Sequence, residues 1–298
     1  MAAGHRKAVS SCTRYNSRMV NSPVFPSANA LRAFGATAIP TPLPGGRQMA
    51  YRAGGIVLKP VDFDTPENEV EIAWSAETLN NIPQLGFRIP RSIASQSGEW
   101  IVDGWYAQQW LEGEHSNSQD RWDKLIEACK LFHRALEGIS RPTFLDRRTD
   151  LWAIADRVAW GDLPLTCYPE LKDPLDMLLS VLRPVNLPSQ VIHGDVTGNV
   201  LFAENLAPAI IDFSPYWRPA EFALAVVIVD ALVWEGADVS ILDYVRDVKE
   251  IDQMLVRAEI RRLMEIDGHR RQSGKDILAE VDAHLETVDL IYDRAATS

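Results

Sequence analysis

Three features that would point to particular classes of protein are missing from this sequence of 298 residues. The three cysteines, Cys12, Cys129 and Cys167, form no CxxC pair, so we expect neither a disulfide framework nor a zinc site. No apolar run approaches the ~20 residues that span a bilayer, which predicts a protein without a transmembrane helix. The GxxxxGK[ST] motif is also missing, which excludes a Walker-type nucleotide site.

Basic residues are too few to balance the acidic ones, and the formal net charge is -11 with a pI near 5.1. A field of this sign repels phosphate polymers, so we expect neither nucleic acid nor an anionic membrane as a partner. A neutral or cationic small molecule fits the field better. Because 46% of the residues are hydrophobic, the composition predicts a soluble globular protein with an ample core. The cysteines support no disulfide framework, so we expect a reducing, cytoplasmic location.

The first part of the chain is predicted to contain a disordered tail followed by a small sheet. Residues 1–22 have basic residues but no apolar run or periodicity, which indicates a disordered tail and no secretory signal. Two strands are predicted around a turn at 53–55, and a helix with Thr65 as its N-cap follows. Segments rich in aromatic and β-branched residues predict further strands up to Gly113.

Helical periodicity dominates the second part of the chain. In RWDKLIEACKLFHRAL, six apolar residues share one stripe: Trp122, Leu125, Ile126, Cys129, Phe132 and Leu136. The apolar segment that starts at Phe222 predicts a buried helix, and helical patterns continue to the end of the sequence. We therefore predict an α+β protein with a β-rich N-lobe at 23–112 and a mainly helical C-lobe at 113–298.

Two strand-like segments in the helical part carry the most specific chemistry, VIHGDVTGNVLF at 191–202 and IIDFSPYW at 210–217. An isolated Asp between apolar runs is usually a turn former or a cap. Here Asp195 and Asn199 share one loop, and Asp212 ends the second of two strands that follow it. The order of these three residues indicates a phosphoryl-transfer site.

With this layout, the sequence resembles the aminoglycoside phosphotransferase and choline kinase-like family. The resemblance covers most of the chain from about Leu31 and is most specific in the two segments above. It implies a two-lobed protein-kinase-like fold that uses ATP and Mg²⁺. It also implies transfer of the γ-phosphate to a hydroxyl of a small molecule, such as an aminoglycoside-like compound, an amino alcohol or a sugar.

The same resemblance implies a role for individual residues. Asp195 corresponds to the catalytic residue that orients or deprotonates the hydroxyl, and His193 to a scaffold residue of its loop. Asn199 and Asp212 correspond to the ligands of Mg²⁺, a hard cation that prefers oxygen. The nucleotide-binding residues implied are Lys59, Glu71, Gly45, Gly46, Gln109 and Leu111.

The sequence leaves alternatives open for the helix glutamate and for the substrate cleft. The resemblance implies a helix glutamate that orients Lys59; Glu71 is our choice, but Glu69 and Glu77 lie on the same acidic helix. Four residues are further candidates for the substrate cleft. Tyr216 and Trp217 are expected at its mouth, and Asp230 and Glu235 could face a cationic acceptor.

The catalytic loop departs from the kinase pattern, in which Asn follows Asp by five positions. Here Asn199 follows Asp195 by four, so the loop is one residue short unless Gly198 supplies an unusual backbone conformation. The loop also lacks a basic residue after the Asp, and Arg218 is a candidate for the missing cation. The departure supports an alternative, a catalytically silent kinase-fold protein that acts as a nucleotide-binding regulator or partner-binding module.

Overall fold

The computed structural model describes residues 25–44, 49–62, 65, 67–116 and 119–297. The predicted tail at 1–22 and the predicted phosphate-binding glycines, Gly45 and Gly46, lie outside these residues. No helix in the described part of the chain is both long and apolar enough to cross a membrane.

The first part of the chain forms an antiparallel sheet with two helices. The elements are α1 (Ala28–Ala33), β1 (Thr41–Pro42), β2 (Tyr51–Ala53), β3 (Ile56–Pro60), α2 (Asn68–Leu79), β4 (Ser92–Ile93), β5 (Ile101–Val102) and β6 (Trp105–Gln109). The described strands are ordered β1-β2-β3-β6-β4, and β5 pairs with β6 as a hairpin. The predicted turn at 53–55 is confirmed, since β2 and β3 pair on either side of it.

The sheet has its own small core because alternate residues of its strands point to one face. Tyr51, Leu58 and Trp105 are buried there, and Ala30 and Phe34 at α1 cover them. The edge of the Tyr51 ring meets Trp105 at a centroid distance of 5.9 Å. This packing fixes β3, which carries Lys59.

The start of α2 differs from the prediction. The helix begins at Asn68 with Glu67 in the left-handed region as its N-cap, so the expected cap at Thr65 is wrong. The Thr65 hydroxyl instead donates to the Asp62 carboxylate at 2.8 Å, and the Asn68 side chain accepts from the Asp62 N–H. Such local bonds compete with capping, which is why the sequence pattern placed the start too early.

The second part is mainly helical and contains two short strand pairs. Its helices are α3 (Arg121–Ala135), α4 (Leu151–Ala159), α5 (Lys172–Ser180), α6 (Ala220–Val233), α7 (Ile251–Ser273) and α8 (Leu278–Thr297). Its strands are β7 (Gln190–His193), β8 (Val200–Leu201), β9 (Ala209–Ile210) and β10 (Pro215–Arg218), and β7 pairs with β10 while β8 pairs with β9. The predicted apolar stripe of α3 is buried as expected, and the predicted buried helix is α6.

The connection between the two parts runs from the end of β6 to the start of α3, through Gly113. The predicted lobe boundary between 112 and 113 falls in this connection, and the residue bounds of the lobes stay a prediction. Glu114 and Phe202 exchange two backbone hydrogen bonds of 2.9 Å, which tie the connection to the end of β8. Gly113 has φ 143°, and a Cβ there would lie 2.9 Å from the Leu201 side chain and 3.1 Å from the Phe202 carbonyl oxygen.

We expect Gly113→Ala to lower the free energy of unfolding by about 2 to 4 kcal/mol, because it combines backbone strain with a steric clash. Urea unfolding measures the change. Gly138→Ala is the matched control, since Gly138 has φ 79° but open space around its Cβ position, and backbone strain alone costs about 1 to 2 kcal/mol. Equal losses in the two variants would contradict the close approach at Gly113.

Candidate active site

The loop that carries Asp195 begins at the end of β7, directly opposite the start of β10. His193 is paired with Pro215 in the strand register, and the Gly194 N–H donates to the Ser214 carbonyl at 2.9 Å. A Cβ on Gly194 would lie 2.3 Å from the ring of Tyr216. Glycine is therefore required before Asp195, because the chain passes too close to this ring for a side chain.

The buried imidazole of His193 connects the two functional loops. Its Nδ1 accepts from the Asp195 N–H at 3.2 Å and the Ser214 N–H at 3.4 Å, and its Nε2 donates to the Ile211 carbonyl at 3.2 Å. Burial lowers the pKa of His193, and the nearby Asp195 carboxylate opposes that shift. A neutral ring with its proton on Nε2 satisfies all three bonds, so His193 has the position of a scaffold residue.

A second buried histidine supports the first. The His133 Nε2 accepts from the His193 backbone N–H at 3.0 Å, and its Nδ1 donates to the Cys129 carbonyl at 2.7 Å. Burial lowers the pKa of His133 to about 4. The charged ring would carry a proton on Nε2 and lose its bond to His193, so the neutral form belongs to the folded state.

The shortened loop closes through Gly198 and Asn199. Gly198 has φ 79°, the left-handed conformation that glycine adopts without strain. The Asn199 side-chain N–H group donates to the Asp195 carbonyl at 2.7 Å and to the Asp195 carboxylate at 3.2 Å. The Ile211 N–H donates to the Asn199 carbonyl at 2.9 Å. Asn199 therefore lies beside Asp195 and beside the segment that leads to Asp212.

Asp212 pairs with Lys59 of strand β3. Lys59 forms an ion pair with its carboxylate, which is about half exposed, whereas the lysine side chain is mostly buried. Partial desolvation at the ion pair opposes the charged form of both groups, but their mutual attraction dominates, so the pKa of Lys59 is raised and that of Asp212 is lowered. Asp212 has φ 53°, an uncommon conformation for a residue other than glycine and one found often at functional sites.

Glu71 lies on the inward face of α2, whereas its rivals Glu69 and Glu77 are exposed. Its carboxylate lies 3.9 Å from the Arg148 guanidinium, and the ion pair of Lys59 is with Asp212. Burial raises the pKa of Glu71 to about 7, with Arg148 opposing that shift. The orienting role of Glu71 stays a prediction.

The predicted adenine-binding backbone lies at the end of β6. The Gln109 N–H donates to the Arg91 carbonyl at 2.8 Å, and the Trp110 N–H donates to the Gly55 carbonyl at 2.9 Å. The Leu111 N–H has no hydrogen-bond partner among the described residues. The nucleotide-binding roles of Gln109 and Leu111 stay predictions.

Arg262 on α7 is the site residue that sequence reasoning missed. Its Nη2 donates to the Asp195 Oδ1 at 3.0 Å. In the sequence, Arg261 and Arg262 are adjacent basic residues in a helical segment that also carries Arg257, Glu259 and Glu265, so nothing singles them out. Spacing along the chain cannot show that this helix passes the catalytic loop, because the two residues are 67 positions apart.

Three other expectations about charged residues are wrong. Arg218 does not face Asp195, since it pairs with Asp156 and Asp162 at 2.7 Å each. Asp230 and Glu235 were expected to face a cationic acceptor, but the structure pairs them with arginines. These pairs are Asp230–Arg262 at 2.6 Å and Glu235–Arg121 at 2.8 Å.

Tyr216 does not lie at the mouth of a cleft, because its ring is buried. The guanidinium carbons of Arg261 and Arg148 lie 4.4 and 5.0 Å from the ring centroid. The Tyr216 ring packs against Gly194. The next residue, Trp217, is half-buried against the hydrophobic core. Burial along β10 does not alternate, since Pro215 and Tyr216 are both buried and Trp217 and Arg218 are half-buried. The position after Asp212 in the sequence therefore did not show which side chains face a cleft.

The side chains present fit a magnesium ion. The Asn199 Oδ1 has no hydrogen-bond partner among the described residues, and the half-exposed Asp212 carboxylate provides further oxygens. No group of three or more His, Cys, Asp or Glu side chains in the described ranges could enclose a metal. Mg²⁺ is usually bound by one or two side-chain oxygens together with phosphates and waters, so a complete protein cage is not needed.

A family model described as the phosphotransferase enzyme family matches residues 50–216, more than half of the chain. The chain belongs to this phosphotransferase family. The matched region contains Lys59, Asp195, Asn199 and Asp212, and the resemblance inferred from the two sequence segments is confirmed. No curated protein matches the chain.

Solved structures of small-molecule kinases have the same fold. A microcompartment-associated aminopropanol kinase is 15% identical, with 90% of this chain and 97% of that chain covered and a TM-score of 0.59. The choline kinase LicA from Streptococcus pneumoniae is 10% identical, with 90% and 97% covered and a TM-score of 0.57. Spectinomycin phosphotransferase, in complex with ADP and spectinomycin, is 15% identical, with 90% and 96% covered and a TM-score of 0.54. The predicted α+β, two-lobed protein-kinase-like fold is confirmed.

The neutral state of His133 makes the stability of this phosphotransferase-family protein depend on pH. Its pKa of about 4 lies below the ordinary 6.5, so its contribution to stability is lost as pH falls from about 6.5 to 4. Between pH 7.5 and 5 we expect this group to cost about 2 kcal/mol of unfolding free energy.

Urea unfolding of the wild type and His133→Gln at both pH values measures this contribution. Other groups with raised pKa, such as Glu71, titrate in the same range with the opposite sign, so the difference between the two proteins is the informative quantity. Gln is the matched replacement because its amide oxygen can accept the His193 N–H. The same pH dependence in both proteins would show that His133 is not the buried neutral group described above.

Proposed function

We propose that the protein is an ATP- and Mg²⁺-dependent kinase that transfers the γ-phosphate to a hydroxyl group of a small molecule. The observation that carries this proposal is the convergence of Asp195, Asn199 and Asp212 around one buried imidazole, with Lys59 joining them from the sheet. Phosphoryl transfer needs positioning and charge neutralisation more than covalent chemistry. The convergence supplies both.

Asp195 is proposed to act on the acceptor. Its carboxylate is partly exposed, so it can accept a hydrogen bond from an incoming hydroxyl and orient it for attack. The Asn199 amide and the Arg262 guanidinium each bind one carboxylate oxygen, which holds the group in one orientation. A fixed carboxylate needs little reorganisation when it accepts the proton.

Lys59 and the connection after β6 are proposed to bind the nucleotide. Lys59 can exchange its ion pair with Asp212 for phosphate oxygens, and the Leu111 N–H can donate to the adenine beside Gln109. Asn199 and Asp212 would hold Mg²⁺, which would neutralise charge on the phosphates. The predicted lobes at 23–112 and 113–298 would then meet at the nucleotide, as this proposal requires.

The acceptor is proposed to be a small hydroxylated molecule, neutral or cationic. The net charge of -11 favours such a molecule over an anionic one. The similar kinases named above act on aminopropanol, choline and spectinomycin, all of which are small and carry hydroxyl groups. Because arginines already pair with Asp230 and Glu235, these two carboxylates are not assigned to the acceptor.

The alternative, a catalytically silent kinase-fold protein, is supported by the four-residue spacing between Asp195 and Asn199. Against it stands the contact between the two side chains, which the short loop preserves through the left-handed Gly198. A silent protein has no need of a partly exposed carboxylate held at both oxygens. We therefore favour an active kinase. Measured turnover distinguishes the active kinase from the silent protein.

Calorimetric titration with ATP tests the nucleotide and metal site. We expect saturable binding in the presence of Mg²⁺, and an affinity at least about tenfold weaker in Asp212→Ala, because the variant removes a proposed metal ligand and the partner of Lys59. Asp243→Ala is the control, since Asp243 is an exposed acid whose ion pair is with Arg246, three residues further along the chain. Wild-type protein that does not bind ATP with or without Mg²⁺ would refute the kinase assignment.

Release of ADP in the presence of candidate acceptors tests the chemistry. Aminopropanol, choline and spectinomycin form the first panel, with water as the background acceptor. We expect Asp195→Asn to lower turnover by a factor of about 10² to 10⁴ while ATP binding is kept, because only the proton acceptor is removed. Turnover that is unchanged in Asp195→Asn would rule out the proposed role, and ATP binding without any turnover would favour the silent alternative.

A further inference from the structure

The Arg262 side chain is fixed almost completely before it reaches Asp195. Its Nε and Nη2 donate to the two Asp230 oxygens at 2.8 and 2.6 Å, and its Nη1 donates to the Glu265 carboxylate at 2.8 Å. All three of these side chains are buried, with exposures of 5%, 3% and 9% for Arg262, Asp230 and Glu265. A planar guanidinium held by two carboxylates has one orientation, and that orientation presents Nη2 to Asp195.

The preceding residue binds the backbone of the same loop. The Arg261 Nη1 donates to the Gly194 carbonyl at 2.9 Å, and its Nε donates to the Glu265 carboxylate at 2.9 Å. Glu265 therefore joins the two arginines. Neighbouring helix residues point in different directions. Arg261 therefore binds the backbone of Gly194, and Arg262 binds the side chain of Asp195.

We propose that Arg262 is a positioning residue for Asp195, and that α7 supplies the cation and the brace that the shortened loop lacks. This inference rests on the proposed kinase function. The loop has Val196 and Thr197 after Asp195, so it contains no cation of its own. Arg262 fills that role from outside the loop, by binding the Asp195 Oδ1 while Asn199 binds the Oδ2.

The proposal also accounts for the buried carboxylates that pair with Arg262. Desolvation raises the pKa of Asp230 to about 6, and Arg262 opposes that shift. Arg262 is needed as a buried cation to keep this acid ionised, and the pair of buried acids is needed to fix Arg262. A buried charge cluster of this kind contributes little net stability but imposes one geometry, which is what a catalytic carboxylate requires.

The test measures ADP release from MgATP with enzyme in excess and water as the acceptor, together with the dissociation constant for ATP and the melting temperature. Arg262→Lys keeps the charge but loses the fork, so it cannot bind Asp230 and Asp195 together. We expect its turnover to fall at least tenfold while its ATP affinity changes less than twofold. A loss confined to turnover marks a positioning role, since general destabilisation would weaken ATP binding as well.

Two further variants keep the test decisive. Arg262→Met combined with Asp230→Asn removes the cation together with its main buried counter-charge, so the variant avoids an isolated buried acid. We expect the same loss of turnover. Arg257→Lys is the control: Arg257 is also a buried arginine of α7, but it binds the Arg183 carbonyl at 2.7 Å and has no contact with Asp195. We expect it to retain wild-type turnover.

The possible failures are distinguishable. Wild-type turnover that depends on Asp195 but is unchanged in both Arg262 variants would overturn this inference and leave the kinase function standing. An equal loss of turnover in Arg257→Lys would also overturn it, since the effect would then belong to the helix as a whole. Wild-type protein that does not bind ATP, or that binds it without releasing ADP with water or with any acceptor of the panel above, would overturn the proposed function and this inference with it.

Discussion

The neutral imidazole of His193 is the group on which the geometry of the site depends. Its Nδ1 accepts from the backbone N–H of Asp195, and its Nε2 donates to the carbonyl of Ile211, the residue before Asp212. Two loops from different strand pairs are thereby held by one rigid ring. A protonated ring could not accept these N–H groups, so burial, which disfavours the charge, also preserves the arrangement. His133 is also a neutral, buried histidine, and it accepts from the backbone N–H of His193.

The second constraint is the electrostatic cluster on α7. Removing an arginine and its carboxylates from water costs free energy, and the attraction between the paired charges offsets about that cost. The cluster of Arg261, Arg262 and Glu265 therefore adds orientation more than stability. A short loop has few internal bonds with which to fix its own side chains. In this protein the helix that packs behind the loop provides those bonds, at Gly194 and at Asp195.

Arg88 links the two parts of the chain through both its backbone and its side chain. Arg88 follows the first helices of the sheet region, and its backbone bonds to Pro208 and Ile210 at 2.8 Å each. Its guanidinium donates to the carbonyls of Ala207 and Glu112. The segment before β4 is thus attached both to β9 and to the connection at Gly113. This arrangement places Lys59 opposite Asp212 without any direct pairing of the sheet with β7.

The sequence by itself determined the elements and the candidate chemistry. Periodicity defined α3 and α6, because an apolar stripe and an apolar run are local properties of the chain. The two motifs identified Asp195, Asn199 and Asp212 by their order. Only the tertiary structure decided which charges meet: it paired Arg262 with Asp195, turned Arg218 away towards Asp156, and buried Tyr216 under Gly194. Arg262 and Asp195 are 67 positions apart and Arg218 and Asp156 are 62 apart, so these partners are chosen by how helices and strands pack, and no local pattern records that packing.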